Sequence, residues 1–309
     1  MENNYKFNPL LEKLRISKAA DNGKYNFLIT KDNTKLFYRY YLPPEIDKII
    51  VVAHGAGGNG DYYVILADQV FNEHIGVYVM DYRGHGYSEG KRGDIKSIKE
   101  LLSDFDEFVS LIQEKHRNVP IFLFGESMGG ALIINYLAKY NSPEITEVIK
   151  GVILFSPAIK LKMKYSIKQI FLAIPFLLTY LFAPSARIID ITKGPVDEGI
   201  ANPIHIEYDK TDENHLKKIS PRYLLNLVRL IEKSYNLADK ITAPIIIFQG
   251  TNDPVIDIDG IEKFYERCSS SDKTLELVDG GRHVLFTDPI ANSKENNIWK
   301  KLNNWLKNH

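Results

Sequence analysis

The sequence predicts an α/β fold: a mostly parallel central sheet flanked by helices, with an inserted, mainly helical cap. Three observations predict it. Short β-branched runs alternate with longer segments of helical periodicity, several runs are apolar without alternation, and the rhythm breaks once in the second half of the chain. Unalternating apolar runs are what strands covered by helices on both faces require.

The strand-like runs are KLFYRYYL (35–42), IIVVAHG (49–55), VYVMDY (77–82), PIFLFG (120–125), GVILFSP (151–157), PIIIFQG (244–250) and TLELVDG (274–280). The first, with TKDN shortly before it, reads as part of an N-terminal hairpin. Helical patterns fill the intervals at 61–74, 94–117, 128–140, 258–269 and 288–307. Between GVILFSP and PIIIFQG lie roughly ninety residues, where one crossover needs about a dozen. Residues 158–231 are therefore expected to form the cap, on a core made of 1–157 and 232–309.

The cap begins unusually. Lys160, Lys162, Lys164 and Lys168 precede Gln169–Ala186, an uncharged stretch holding Phe171, Leu172, Ile174, Phe176, Leu177, Leu178, Tyr180, Leu181 and Phe182. Its length reaches the lower limit for a membrane span. Pro175 and Pro184 interrupt it, however, and a span would separate Ser127 from Asp253, which the motifs below need in one site. Two compatible readings remain: a helix packed over the core and lining an apolar pocket, or the same helix with one face against a membrane.

Composition narrows the function classes. The 309 residues are 44% hydrophobic and 25% charged, with 39 basic and 39 acidic side chains, so no basic excess points to nucleic acid. The single cysteine, Cys268, can form no intrachain disulfide and has no metal-type Cys/His spacing; it is expected to pack as a small hydrophobe. MENNYKFNPL lacks a basic region followed by an apolar run, so no secretory leader is expected. A reducing, cytoplasmic setting fits, with peripheral membrane contact through the cap left open.

The most informative string is FLFGESMGG (122–130), an apolar strand, then Gly125-Glu126-Ser127-Met128-Gly129, then the helical run ALIINYLAKY. This is G-x-S-x-G where a strand turns sharply into a helix. The turn forces the serine into a strained conformation and demands small residues two before and two after it. Ser127 then stands above the sheet at a helix start, where N–H groups favour negative charge. A hydroxyl needs a base. His283, in DGGRHVLF just past a strand, is the candidate, and Asp253, in GTNDPV past another, is the candidate acid that orients it. The order Ser127, Asp253, His283 is that of α/β-hydrolases. Asp257 and Asp259 compete less well because they open the next helix, where Asp is common as a cap. Asp279 and Asp288 are weaker candidates.

VVAHGAGGNG (51–60) ends a strand in a glycine-rich loop whose backbone N–H groups can face an oxyanion. The expected pair is the N–H of Ala56 and that of Met128. The loop lacks the Lys-Ser/Thr ending of a P-loop and the spacing of a dinucleotide fingerprint. His54 beside it reads as structural, with substrate contact by His54, Gly57, Tyr62 and Phe176 as a further expectation. Arg83 and His85, in DYRGHGYSEG (81–90), read as structural, and His205 and His215, in or near the cap, could touch substrate.

With HGAGG, DYRGHGYSEG, FGESMGG, QGTNDPV and GGRHVL in this order, from about Lys35 to Trp305, the chain resembles the monoacylglycerol lipase and lysophospholipase group of α/β-hydrolases. The resemblance implies hydrolysis of a fatty-acid carboxylic ester, an apolar tunnel under a mobile cap, and no cofactor or metal. In mammalian monoacylglycerol lipases a Glu follows HGAG and an Arg comes four positions later, and both help bind glycerol. Here these positions are Gly58 and Tyr62, so that polar clamp is weakened or replaced. Lysophospholipase, short-chain or aromatic esterase and acyltransferase are the rival enzymes. A silent α/β-hydrolase used as a binding module is the rival of another class, against which the complete triad argues.

Overall fold

The computed structural model describes residues 19, 22–140, 147–162, 173–192 and 198–309, with backbone alone at 173–175. Its main sheet has eight strands: β1 (Gly23–Ile29), β2 (Lys35–Tyr41), β3 (Lys48–Ala53), β4 (Ile75–Met80), β5 (Ile121–Glu126), β6 (Ile149–Phe155), β9 (Ile245–Gly250) and β10 (Lys273–Val278). The order is β1-β2-β4-β3-β5-β6-β9-β10. β1 and β2 form the expected hairpin, β2 pairs antiparallel with β4, and every pairing beyond is parallel. This is the mostly parallel, helix-flanked sheet that the apolar runs predict.

Alternate residues of the same strand feed opposite faces. Ile49 and Val51 of β3 pack under α2 (Ile98–Lys115) and α3 (Met128–Lys139); Ile50 and Val52 pack toward α1 (Val64–Val70) and α8 (Ile298–Asn308). Burying each such side chain stabilises the fold by about 1.5–3 kcal/mol. The parallel strands all end at one edge, and the loops that leave that edge carry the site. Cys268 is buried at the end of α7 (Ile258–Arg267), and burial pushes its thiol up to about 12.

One helix is shorter than its pattern. The segment expected to be helical from 288 becomes helix only at Ile298, because residues 288–297 fold as turns. Asn297 is left-handed there, and its side chain caps the helix by accepting from the Lys300 N–H.

The inserted segment holds α4 (Ala173–Phe182), the two-residue pair β7 (Ile189–Asp190) and β8 (Lys218–Ile219), α5 (Pro203–Thr211) and the start of α6 (Pro221–Asn236). Both expected boundaries shift. Residue 231 lies inside α6, which is tied to α3 by Asn135 Nδ2 donating to the Leu230 carbonyl (3.1 Å) and the Ser234 hydroxyl (2.8 Å). At the other end, Leu161 bridges to Ile256, Lys160 pairs with Asp257 (3.2 Å), and Lys162 Nζ donates to the Asp253 carbonyl (2.5 Å). These two lysines are stitched to the core; Lys164 and Lys168 lie outside the described residues, as do Phe171 and Leu172. No helix among the described residues is long and apolar enough to cross a membrane.

Candidate active site

β5 ends in the elbow. Ser127 has φ 50° and ψ −116°, a region that side chains avoid at a cost of about 1–3 kcal/mol. Neighbouring backbone holds it there: Ser127 N–H donates to the Phe155 carbonyl (3.1 Å), and the Ser127 carbonyl accepts from the Ala158 N–H (2.8 Å). The glycines leave room for this fold. A side chain at Gly129 would collide with the Ala53 carbonyl, and one at Gly125 would lie 2.7 Å from the backbone of Gly129 and Gly130.

His283 and Asp253 arrive from the loops after β10 and β9. Ser127 Oγ is 3.1 Å from His283 Nε2, and His283 Nδ1 is 2.8 Å from Asp253 Oδ2. With Nδ1–H donating to the carboxylate, Nε2 is left to accept the serine proton. The three expected residues are thus brought into one hydrogen-bonded chain. Asp253 is fully buried, and its other bonds fix it: Gln249 Nε2 donates to Oδ2 (2.9 Å), and the Val255 and Ile256 N–H groups donate to Oδ1 (2.7 and 3.0 Å). Burial works to raise the Asp253 pKa but is outweighed by His283 and these donors, so the carboxyl ionises below its ordinary value. Burial works to lower the His283 pKa and is outweighed by Asp253 and, more weakly, Glu126, so the imidazole titrates above its ordinary value.

The rejected competitors have other work. Asp257 precedes α7 and pairs with Lys160. Asp288 is buried and accepts from the Arg282 and Ile290 N–H groups (2.7 and 2.8 Å), folding the loop that presents His283. Its sequence signal was only an Asp before a proline.

The glycine-rich loop expected to face the oxyanion follows β3. No hydrogen bond among the described residues engages the Ala56 or Met128 N–H. A buried charge network lies behind the loop: Arg39 of β2 pairs with Asp81 (2.7 Å) and Asp61 (3.0 Å), and Asp81 also accepts from the Gly60 N–H (2.7 Å). His54 is fully buried, and burial lowers its pKa to about 4. Its Nε2 accepts from the Tyr82 N–H (3.2 Å), so Nδ1 carries the proton and donates to the Gly55 carbonyl (2.8 Å). Both nitrogens serve the loop, in keeping with its structural reading. His85 bridges the Arg83 carbonyl and the Tyr223 hydroxyl, and Arg83 binds Asp32 and Asp104, so both are structural.

The cavity above Ser127 measures about 110 Å³ and is lined by Ala56, Tyr62, Glu126, His205, Asp209 and His215, among others. Of the expected contacts, His54 and Tyr62 line it, and Tyr62 stacks on His205 with centroids 4.0 Å apart. Gly57 does not line it; at φ 77° it gives its carbonyl to the Leu216 N–H (2.8 Å). Phe176, half-buried on α4, does not line it either. Glu126 and Asp209 are wall residues that sequence reasoning missed. Residues 163–172 and 193–197 of the expected cap lie outside the described residues.

Comparison with known proteins identifies the family of the chain. The family model described as serine aminopeptidase, S33 matches residues 44–290. The monoglyceride lipase of Rattus norvegicus is 30% identical over 291 residues, covering 90% of this chain and 89% of that protein. The crystal structure of Paleococcus ferrophilus monoacylglycerol lipase superposes with a TM-score of 0.74 at 26% identity, covering 89% of this chain and 99% of that one. A soluble variant of the Saccharomyces cerevisiae monoglyceride lipase, solved with a substrate analogue, superposes with a TM-score of 0.77 at 24% identity, covering 93% and 94%; this shows likeness of fold. The chain belongs to the monoacylglycerol lipase family of α/β-hydrolases and is a serine ester hydrolase.

Proposed function

We propose that this hydrolase cleaves a fatty-acid ester of glycerol or a similar small alcohol through an acyl-enzyme on Ser127. One observation carries the reading: the unbroken chain from Ser127 Oγ through His283 to Asp253, set on a strained elbow. In the first step His283 Nε2 takes the serine proton as Oγ attacks the ester carbonyl. The Ala56 and Met128 N–H groups stabilise the tetrahedral oxyanion. His283 then gives its proton to the departing alcohol, and water repeats the sequence on the acyl-enzyme. Asp253 holds the Nδ1–H tautomer and stabilises the imidazolium. None of these steps calls on a metal or cofactor.

The lipid class of substrate is supported by the names of the relatives, monoglyceride lipases from rat and human. The segment from 163 to 220 serves as the cap. Leu177, Leu178, Leu181 and Phe182 of α4 are exposed, Phe182 to 83%. An apolar helix face of this kind suits peripheral contact with a membrane by a cytoplasmic enzyme. A fluorophosphonate probe should label the wild type and not Ser127→Ala. Hydrolysis across an acyl-chain series with glycerol, lysophosphatidylcholine and p-nitrophenyl heads should favour glycerol esters. An unlabelled wild type would refute the acyl-enzyme.

A further inference from the structure

The Ser127 cavity holds a polar cluster that the chemistry above leaves unused. Asp209, on α5, stands between two imidazoles: its Oδ2 is 3.4 Å from His205 Nε2 and its Oδ1 3.4 Å from His215 Nδ1. His205 Nδ1 lies 3.1 Å from the Thr287 hydroxyl. With its Nδ1–H turned to Asp209, His215 presents Nε2 as an acceptor. That nitrogen faces the oxyanion loop, for a side chain added at Gly57 would come within 3.8 Å of it. Burial works to raise the Asp209 pKa but is outweighed by His205 and His215, so the group is held as a carboxylate. Tyr208 lines the same cavity, and its buried hydroxyl has no partner among the described residues. Such a hydroxyl is costly unless a ligand or water satisfies it.

Three properties define the ligand. The wall offers acceptors at Asp209 and His215, which suits a group that donates, such as a free hydroxyl. Glu126 adds a second carboxyl, whose pKa burial raises, and among the described residues no lysine or arginine lines the cavity. An anionic head would therefore enter without a counter-charge. The aromatic rings offer no open cage for a quaternary ammonium, because Tyr62 is covered by His205 and meets Tyr208 edge-on at 5.3 Å. No group of three or more His, Cys, Asp or Glu among the described residues is arranged to hold a metal ion.

We propose that Asp209 and His215 bind the free hydroxyls of a neutral polyol leaving group, and that the carboxyls of Asp209 and Glu126 exclude an alcohol bearing phosphate. The proposal rests on the acyl-enzyme reading and adds the specificity of its alcohol side. It gives glycerol a binding site where Gly58 and Tyr62 leave none.

The test compares three octanoyl esters on the full chain: 1-octanoylglycerol, 1-octanoylglycerol 3-phosphate and p-nitrophenyl octanoate. The wild type should favour the first over the second by about tenfold or more in kcat/KM. Asp209→Asn should raise KM for 1-octanoylglycerol about tenfold, leave p-nitrophenyl octanoate within about twofold, and narrow the discrimination against phosphate. His215→Gln, which keeps the carboxylate, should weaken 1-octanoylglycerol alone in the same direction. Equal losses on all three esters would assign the cluster a structural role and overturn the proposal. So would unchanged kinetics, or a wild type that cleaves the p-nitrophenyl ester but ignores both glycerol esters; the acyl-enzyme reading survives each of these. A wild type inactive on all three esters would overturn both.

Discussion

The base of the Ser127 cavity and the helix α4 beside it treat water in opposite ways. Asp253 is fully buried with four donors on its two oxygens, and the backbone at Ser127 is held in strain by neighbours on both sides. On α4, Leu177, Leu178, Leu181 and Phe182 face solvent with nothing over them among the described residues. The first region puts its apolar and polar groups where the folded chain satisfies them. The second leaves apolar surface that no described residue covers. A rigid site fixes chemistry, whereas an apolar face of this kind is where the proposed contact with lipid would be made.

The sharpest way to break this contrast is to change the base of the cavity. Ser127→Ala should keep the fold and lose on the order of a million-fold in turnover; a residual tenth of wild-type turnover would remove the serine from its assigned role. Asp253→Asn should cost roughly ten-thousand-fold, because an amide favours the wrong imidazole tautomer, while Asp257→Asn should leave turnover nearly intact, since Asp257 stands before α7 and pairs with Lys160. The reverse ranking would mean that the loop after β9 has been misread.

The apolar face should respond differently. Leu181→Asp with Phe182→Asp removes side chains each worth about 1.5–3 kcal/mol when buried. Partition onto lipid vesicles should fall at least tenfold, with p-nitrophenyl acetate hydrolysis and melting temperature unchanged. Vesicle binding that survives the double change would place membrane contact elsewhere. Replacing Lys160 and Lys162 cannot make this test cleanly, because Lys162 holds the Asp253 carbonyl.

The smallest expected effect is in pH dependence. His283 must be neutral to accept the serine proton, and its pKa is raised in the fold, so activity should fall as pH drops through a point above the ordinary histidine value. Glu126 contributes to that rise. Glu126→Gln should therefore move the acid limb of kcat/KM to lower pH, by less than about one unit. A limb that stays put would mean that Glu126 is already neutral where His283 titrates.

The sequence carried the rigid region better than the apolar one, for physical reasons. Strands buried on both faces leave unbroken apolar runs, and an elbow leaves glycines at fixed offsets, so β3, β5, β9 and the positions of Ser127, Asp253 and His283 could be read along the chain. The boundary at 231 was set by counting residues, and α6 runs through it because Asn135 bonds to the same helix on either side. The helix expected from 288 begins ten residues late because the Asp288 carboxylate is used by the turn beneath His283. Asp209, His205 and His215 share no motif; only the fold of α5 and the loop after it brings them together. His205 and His215 could be named as residues near substrate, but no motif pointed to Asp209 as their neighbour.

Arg39 bears on how the molecule can be cut and assembled. It lies outside the segment that matches the family, residues 44–290, yet it is the cation between the buried carboxylates of Asp61 and Asp81, on one of which the Gly60 N–H rests. Removing one partner from such a buried cluster costs about 3–5 kcal/mol. A chain trimmed to the matched segment would keep every residue of the Ser127–His283–Asp253 chain and both expected oxyanion donors, yet leave two like charges facing each other behind the loop. The hairpin of β1 and β2 is therefore a latch behind that loop. A chain shortened at its start keeps the nucleophile and loses the cation that backs the loop.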